Sequence, residues 1–187
     1  FFNRLYATGT RTVRGIEAIT LSLPPTPGQS IVRRPHNEQL FNIGSVFHDY
    51  GYDLQFIYSG YSAFDNMGYF FENNGYEIVD RSDFKNSEVR FSTAWGVCDE
   101  DLYQKVLSEG DKKYSLNKPF FQFILTTSNH RPYTFPEGRI DLPSGSGREA
   151  AIRYSDFAIG EFMKAAAEKP WFKDTVFVFI ADHNASV

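Results

Sequence analysis

Two short runs of almost uninterrupted apolar residues, at positions 120–126 and 175–181, constrain the fold of this chain more than any other feature. Strands that are apolar on both sides are buried on both faces, which is typical of a parallel sheet covered by helices. Helical and strand-like segments alternate along the rest of the chain. The sequence therefore predicts an α/β fold: a doubly wound, mainly parallel sheet with helices on both faces.

Hydrophobic periodicity predicts the remaining elements. Asn37 is the expected N-cap of the second helix, and Gly51 is the expected glycine after its C-terminus. A length of 187 residues suits one domain without an internal boundary. The pattern predicts helices at residues 12–23, 37–50, 64–74, 99–109 and 148–169, and further strands at 52–58 and 76–79.

The composition excludes several classes of protein. Nineteen Lys and Arg residues against 23 Asp and Glu leave a net charge of −4, which argues against a nucleic-acid partner. No apolar run approaches the roughly 18–20 residues of a membrane span, so this segment is expected to be soluble. The one cysteine, Cys98, excludes an internal disulfide framework and a cysteine-based metal cluster.

The first segment that can carry chemistry is Thr8-Gly9-Thr10-Arg11-Thr12, a turn of small residues that leads into the first predicted helix. The free N–H groups and the dipole of a helix N-terminus favour an anion at such a place. A threonine there can also act as a nucleophile if a metal or a base activates it. The alternative is an ordinary threonine N-cap with solvated arginines.

The second segment is Asp182-His183, at the end of the predicted strand 175–181. A carboxylate and an imidazole are suitable ligands for a divalent ion such as Zn²⁺ or Mn²⁺. The alternative is that Asp182 caps a following helix and His183 has no role.

The third segment is Thr126-Thr127-Ser128-Asn129-His130-Arg131-Pro132-Tyr133, where polar residues follow the strand at 120–126. His130 and Arg131 are suited to hold the oxygens of a phosphate or sulfate, and a solvated loop with a capping asparagine is the alternative. In the predicted fold all three segments follow strand ends or begin a helix, where open α/β sheets place their ligands. Together they favour group transfer at phosphorus or sulfur.

The same segments, in this order, resemble the alkaline phosphatase–sulfatase superfamily, in particular the branch of lipoteichoic acid synthase and bacterial phosphoglycerol transferases. The resemblance extends over nearly all 187 residues. It is carried by the nucleophile turn Thr8-Gly9-Thr10-Arg11-Thr12, the loop Asn129-His130-Arg131-Pro132-Tyr133, the pair Asp182-His183, and the intermediate matches Phe64-Asp65-Asn66-Met67, Asn74-Gly75-Tyr76 and Trp95-Gly96.

The resemblance implies a role for individual residues. Thr12 would be both the nucleophile and a metal ligand, and Asp182 and His183 would be the other metal ligands. His130 and Trp95 would contact the substrate, and Arg11 and Arg131 are further candidates for substrate binding. The expected metal is Mn²⁺ or Mg²⁺, or Ca²⁺ if the chain is a true sulfatase.

The resemblance also implies a place and a substrate. It predicts a phosphotransferase or phosphodiesterase acting on a phospholipid or glycan-type substrate, by phosphoglycerol or phosphoethanolamine transfer. The full-length protein would be a membrane-anchored bacterial inner-membrane protein with this domain outside the cytoplasm, in the periplasm or at the cell surface. Residues 1–187 would be a partial catalytic domain, without the first strand and its acidic metal ligand and without the C-terminal part.

One departure from the resemblance separates the alternatives. True sulfatases convert a Cys or Ser to formylglycine within a Cys/Ser-x-Pro-x-Arg turn, whereas Thr12 is followed here by Val13-Arg14-Gly15. Cys98 lies elsewhere and is expected to be a packed residue. A sulfuric ester hydrolase remains the first alternative, and a non-catalytic anion-binding α/β module is the second.

Overall fold

The computed structural model describes residues 7–184, and its centre is a three-stranded parallel sheet. β1 (Asp53–Tyr58) lies in the middle, between β2 (Glu77–Val79) and β3 (Phe120–Leu125). All six residues of β1 pair with β3, and residues 55–57 of β1 also pair with β2. The predicted α/β class with a parallel sheet is confirmed.

Helices connect the strands and cover the sheet. Within residues 7–184, no helix is long and apolar enough to cross a membrane. The α-helices are α1 (Thr12–Leu21), α2 (Ile43–Asp49), α3 (Met67–Glu72), α4 (Asp99–Ser115) and α5 (Arg148–Ala167). Short 3₁₀ helices lie at Ile31–Arg33, Phe64–Asn66, Arg81–Asp83, Asn86–Glu88 and Phe172–Asp174.

Side chains alternate along β1, and each face of the sheet therefore has its own apolar core. Phe56 belongs to the core that α1 and α3 cover, where its ring stacks on Phe71 at 3.9 Å between centroids. Ile57 belongs to the opposite core, which α4 and α5 cover with residues such as Leu102 and Tyr154. Helices on both faces confirm the doubly wound arrangement.

A row of polar side chains crosses the sheet beneath α4. Gln55 is fully buried, donates to Glu77 on β2 (3.1 Å) and accepts from Gln122 on β3 (3.1 Å). The three residues are direct neighbours in the strand register. A shift of one strand by one residue would leave a buried amide without partners, so the row helps to fix the register.

The second helix begins six residues later than predicted. Asn42, rather than Asn37, is its N-cap: the Asn42 side chain accepts from the amides of Gly44 and Ser45, and the Ser45 side chain accepts from the Asn42 amide. Asn37 is buried and donates to the carbonyls of Ile31 and Val32 instead. The predicted glycine after the helix is confirmed, since Gly51 has a φ of +83°.

Other predicted helices differ at their ends. Asp65 and Asn66 adopt left-handed backbone conformations, so the helix predicted from residue 64 becomes α-helical only at Met67. α1 ends at Leu21, before a left-handed Ser22. α4 continues past the predicted residue 109 to Ser115, and Lys112, one turn on from Glu109, pairs with it at 2.6 Å.

The predicted buried strand at residues 175–181 is wrong. In the described part of the chain no strand pairs with this extended segment. Val176 and Val178 are 86% and 70% exposed, and Phe177 alone of the run packs on the core of α4 and α5. β3, predicted to be buried on both faces, is half-buried along its length because it lies at the edge of the described sheet.

Candidate active site

The candidate site lies at the carboxyl edge of the sheet, where β1 and β3 end. Ser59 directly follows β1 and Thr127 lies two residues after β3, and their hydroxyl oxygens are 2.9 Å apart. The Val97 amide donates to the Ser59 carbonyl at 3.0 Å, which brings the segment before α4 to the same edge. Loops from three connections therefore meet where open α/β sheets place their ligands.

Thr12 is the first residue of α1 and is half-buried. Arg11, the N-cap residue, has an extended backbone, and its side chain makes no capping hydrogen bond. The turn before it contains Gly9 at a φ of +84°, a conformation that favours glycine. The first turn of α1 thus presents amides that no N-cap side chain covers, beside a threonine hydroxyl, and this arrangement favours an anion.

Arg11 is paired with a residue that sequence analysis did not single out. The Asp65 carboxylate lies 3.9 Å from Arg11 and 3.4 Å from Arg33, and the Asp65 side chain is only 12% exposed. Arg14, by contrast, is bound to the buried Glu17 at 3.0 Å and to the Gly28 carbonyl. Asp65 could have been noticed from its place in the Phe64-Asp65-Asn66-Met67 match.

α1 packs directly on the Asp182-His183 turn. A Cβ atom placed on Gly15 would lie 2.1 Å from the Asp182 carbonyl oxygen and 2.8 Å from its Cα. That distance is too short for any side chain, so the two backbones can meet only because residue 15 is glycine. Thr12 is one turn before Gly15 on α1, so this backbone contact lies near the first turn of the helix.

The donor set suits a divalent cation. Asp182 Oδ2 and His183 Nε2 are 3.7 Å apart, within the roughly 4 Å that two atoms bonded to one ion at about 2.1 Å can span. No group of three His, Cys, Asp or Glu residues with metal-ligand geometry occurs in residues 7–184. Carboxylate, imidazole and hydroxyl donors are compatible with Mn²⁺ or Mg²⁺.

His130 lies beside the same pair. Burial lowers the pKa of His130, the Asp182 carboxylate opposes this effect, and His183 adds to it. The His130 ring stacks on Trp95 at 4.2 Å, and Trp95 Nε1 donates to the Arg131 carbonyl at 2.7 Å. Burial therefore favours the neutral form of the His130 imidazole, and Trp95 supports its ring.

Two other predicted residues have different surroundings. The Arg131 side chain is exposed and lies beside the Tyr133 hydroxyl, whose pKa Arg148 and Arg131 both lower. Cys98 is buried, as expected of a packed residue, and burial raises the pKa of its thiol to about 12. Such a thiol is a poor nucleophile at neutral pH.

Asp99 anchors the loop that carries His130. Its Oδ1 accepts from the Ser128 amide (3.2 Å) while its own amide donates to Ser128 Oγ (3.2 Å). Ser155 on α5 donates to Asp99 Oδ2 at 2.8 Å and accepts from Asn129 at 3.1 Å. The carboxyl group is buried, and this burial raises its pKa despite the hydrogen bonds.

The raised pKa of Asp99 predicts a pH-dependent cost of folding. A carboxyl group with a higher pKa in the folded than in the unfolded state destabilises the fold as pH rises from its unfolded pKa, about 3.9, through the folded value. Asp99→Asn keeps the shape and removes the ionisation. We expect the free energy of unfolding of Asp99→Asn, measured by urea denaturation, to increase relative to that of the wild type as pH rises above about 4.

Glu17 provides a control of opposite sign. Burial would raise its pKa, but hydrogen bonds from Ser30, Thr26 and Arg14 lower it overall. Glu17→Gln should therefore lose stability relative to the wild type as pH rises towards about 4.3, the ordinary value. If the free energies of unfolding of the two variants, relative to the wild type, changed with pH in the same direction, the raised pKa of Asp99 and the lowered pKa of Glu17 could not both be correct.

Comparison with known proteins places these features in context. A family model described as Sulfatase matches residues 1–187. A crystal structure of a protein in the alkaline phosphatase superfamily from Vibrio parahaemolyticus is 43% identical and superposes with a TM-score of 0.93, covering 100% of this chain and 46% of that one.

Curated relatives are more distant. Phosphoglycerol transferase I of Xanthomonas axonopodis pv. citri is 28% identical over 152 residues, which are 76% of this chain and 22% of the relative. Lipoteichoic acid synthase 1 of Bacillus subtilis is 24% identical over 142 residues, 72% of this chain and 22% of the relative. The chain thus spans about a fifth of the length of these curated relatives.

Proposed function

The chain belongs to the sulfatase family, and from this premise we propose that it is part of the catalytic domain of a metal-dependent phosphotransferase or phosphodiesterase of the cell envelope. Thr12 is the proposed nucleophile. The observation that carries the proposal is the contact between α1 and the Asp182 backbone at Gly15, one turn after Thr12, which supports a common site for Thr12, Asp182 and His183.

The proposed reaction is a two-step transfer. Thr12 Oγ attacks the phosphorus of a diester and an O–P bond forms, while the bond to the leaving alcohol breaks and that alcohol takes up the proton that the Thr12 hydroxyl loses. The hydroxyl of an acceptor, or water, then attacks the same phosphorus, the bond to Thr12 Oγ breaks, and the proton of the attacking hydroxyl returns to Thr12. A divalent ion bound by Thr12, Asp182 and His183 would lower the pKa of the hydroxyl and offset charge on the phosphoryl oxygens.

The neighbouring residues are proposed to bind and orient the substrate. Arg11 and the first-turn amides of α1 are placed to receive phosphoryl oxygens, since guanidinium groups and helix N-termini both favour anions. His130, neutral at pH 7, can donate a hydrogen bond to another oxygen, and Trp95 fixes the plane of its ring. Arg131 is proposed to contact the substrate farther from the phosphorus.

The substrate class and location follow from the relatives and the resemblance. The names of the relatives point to phosphoglycerol transfer and to lipoteichoic acid synthesis, and phosphoethanolamine transfer is chemically equivalent. We propose a phospholipid or glycan-type substrate, and a position outside the cytoplasm on a membrane-anchored full-length protein.

The test uses the full-length protein with Mn²⁺ or Mg²⁺ and two aryl esters, a phosphodiester and a sulfate. We expect metal-dependent cleavage of the phosphodiester in preference to the sulfate, and a melting temperature that rises with metal concentration because the ion binds the folded state. A clear preference for the sulfate would support a sulfuric ester hydrolase. No turnover and no metal-dependent stabilisation would support a non-catalytic module.

A further inference from the structure

We propose that Asp65 is a specificity-determining residue that makes the site favour singly charged phosphodiesters over doubly charged phosphomonoesters. The inference rests on the proposed function, because it concerns the charge of the group that Thr12 would attack. It starts from the carboxylate that lies between two arginines beside the nucleophile turn.

Asp65 is fixed in this position by the backbone around it. It lies in the 3₁₀ helix Phe64–Asn66 with a φ of +52°, and Asn66, also left-handed, donates to the Val32 carbonyl at 2.9 Å. That hydrogen bond ties the 3₁₀ helix to the segment that carries Arg33. The carboxylate thus lies between the Arg33 guanidinium and Arg11 on a backbone that this hydrogen bond holds in place.

The net charge of Arg11, Arg33 and Asp65 decides which anion this cluster favours. Two guanidinium groups beside a helix N-terminus would attract a dianion strongly. Asp65 reduces the sum of Arg11, Arg33 and Asp65 to +1, which matches a phosphodiester. A phosphomonoester carries about one further negative charge at neutral pH, and a nearly buried carboxylate repels that charge.

The surface next to Asp65 also suits a diester, which carries a second organic substituent. An open groove of about 750 Å³ runs beside the carboxylate and is lined by Phe64, Tyr69, Pro35 and Arg33, among others. The Phe64 ring meets Trp95 edge-on at 6.0 Å, and Trp95 stacks on His130. Phe64 thus lies between the groove and the Trp95–His130 pair, and the groove is large enough for the substituent that a monoester lacks.

The experiment compares kcat/KM for bis(p-nitrophenyl) phosphate and p-nitrophenyl phosphate, which share a leaving group and differ in charge. In the full-length protein with Mn²⁺, we expect Asp65→Asn to raise the ratio of monoester to diester activity by about five- to thirty-fold. Arg33→Gln should shift the ratio in the opposite direction, because it removes a positive charge and leaves Asp65. Both shifts should shrink in 0.5 M salt, where charges are screened.

The matched control is Asp53→Asn. Asp53 also lies in an ion pair, with Lys113 at 3.3 Å, but at the amino end of β1, the opposite edge of the sheet. Asp53→Asn makes the same change in charge as Asp65→Asn. It should leave the ratio of monoester to diester activity within about two-fold of the wild type, because charges separated by more than the Debye length are largely screened.

The outcomes separate this inference from the proposed function. A wild type that cleaves the diester, with a ratio that Asp65→Asn leaves unchanged or lowers, would overturn the role of Asp65 alone. A wild type that cleaves neither ester would overturn the proposed function and the inference with it. If Asp65→Asn does not fold, Arg33→Gln decides: a ratio that does not fall overturns the inference.

Discussion

Replacement of Thr12 by alanine is expected to lower phosphodiester turnover by the full-length protein by at least about 10³-fold. The reason is that no other hydroxyl would take its place: removal of a covalent nucleophile in a well-studied hydrolase costs about 10⁶ in kcat. The measurement is kcat with bis(p-nitrophenyl) phosphate at saturating Mn²⁺, together with the metal dependence of the melting temperature.

Thr12→Ser is the matched variant, because it keeps the hydroxyl and removes only a methyl group. It should retain activity within about 10²-fold of the wild type, and it should trap a p-nitrophenyl phosphoryl group covalently on residue 12 when the second step is slow. Thr12 is half-buried and is the first helical residue of α1 rather than its N-cap, so both variants should fold. Wild-type turnover by Thr12→Ala would remove the nucleophile assignment.

The elements that carry Thr12 and His130 could be predicted because they depend on local pattern and topology. The carboxyl ends of parallel strands lie at one edge of a sheet, and residues 120–125 formed the expected strand with the His130 loop after it. Thr12 was predicted at the mouth of a helix and is the first residue of α1. Both placements follow from the local hydrophobic pattern and from the common direction of parallel strands, and neither requires knowledge of contacts between distant residues.

The position of Asp65 between two arginines could not be predicted, because it depends on three segments that are distant in sequence. Its partners Arg11 and Arg33 lie 54 and 32 residues away in the sequence. The left-handed backbone at residue 65 cannot be predicted from a local apolar pattern either. The error at Asn37 has a similar cause. Two asparagines precede the same apolar stripe, and only the reciprocal hydrogen bonds of Asn42 and Ser45 select the second.

Residues 175–181 show why an apolar run does not by itself predict a paired strand. The run is extended, as its composition indicates, but a strand also requires a neighbour whose backbone can pair with it. Within residues 7–184 it has none, and alternate side chains such as Val176 and Val178 face solvent. The Asp182-His183 pair that follows is nevertheless positioned, because the turn contacts Gly15 of α1.

That contact leads to the second large expected effect, which comes from Gly15→Ala. In an ordinary helix interior, alanine is more favourable than glycine by about 1 kcal/mol. Here the added methyl group would lie 2.1 Å from the Asp182 carbonyl oxygen, and the obstacle is backbone rather than a flexible side chain. Overpacking of this kind typically costs about 1–3 kcal/mol, so we expect a lower free energy of unfolding instead of a higher one.

The same substitution should also weaken metal binding. Displacement of the 182–183 turn separates Asp182 and His183 from Thr12, and a cation that must be shared by all three loses affinity. We expect the apparent Kd for Mn²⁺, measured by isothermal titration on the full-length protein, to rise by at least about ten-fold, as it does when other metal sites lose the groups that orient their ligands. Turnover should fall in parallel and should recover partly at high Mn²⁺ concentration.

Gly160→Ala is the matched control for this prediction. Gly160 is an exposed glycine inside α5, and a Cβ atom there would meet no atom within 4 Å. This variant should gain about 0.5–1 kcal/mol of stability and bind Mn²⁺ as the wild type does. If Gly15→Ala were equally stabilised, with an unchanged affinity for Mn²⁺, then the close approach of α1 to Asp182 would have no part in holding the cation. The threonine turn and the Asp182-His183 pair would in that case be neighbours at the sheet edge without forming a common site.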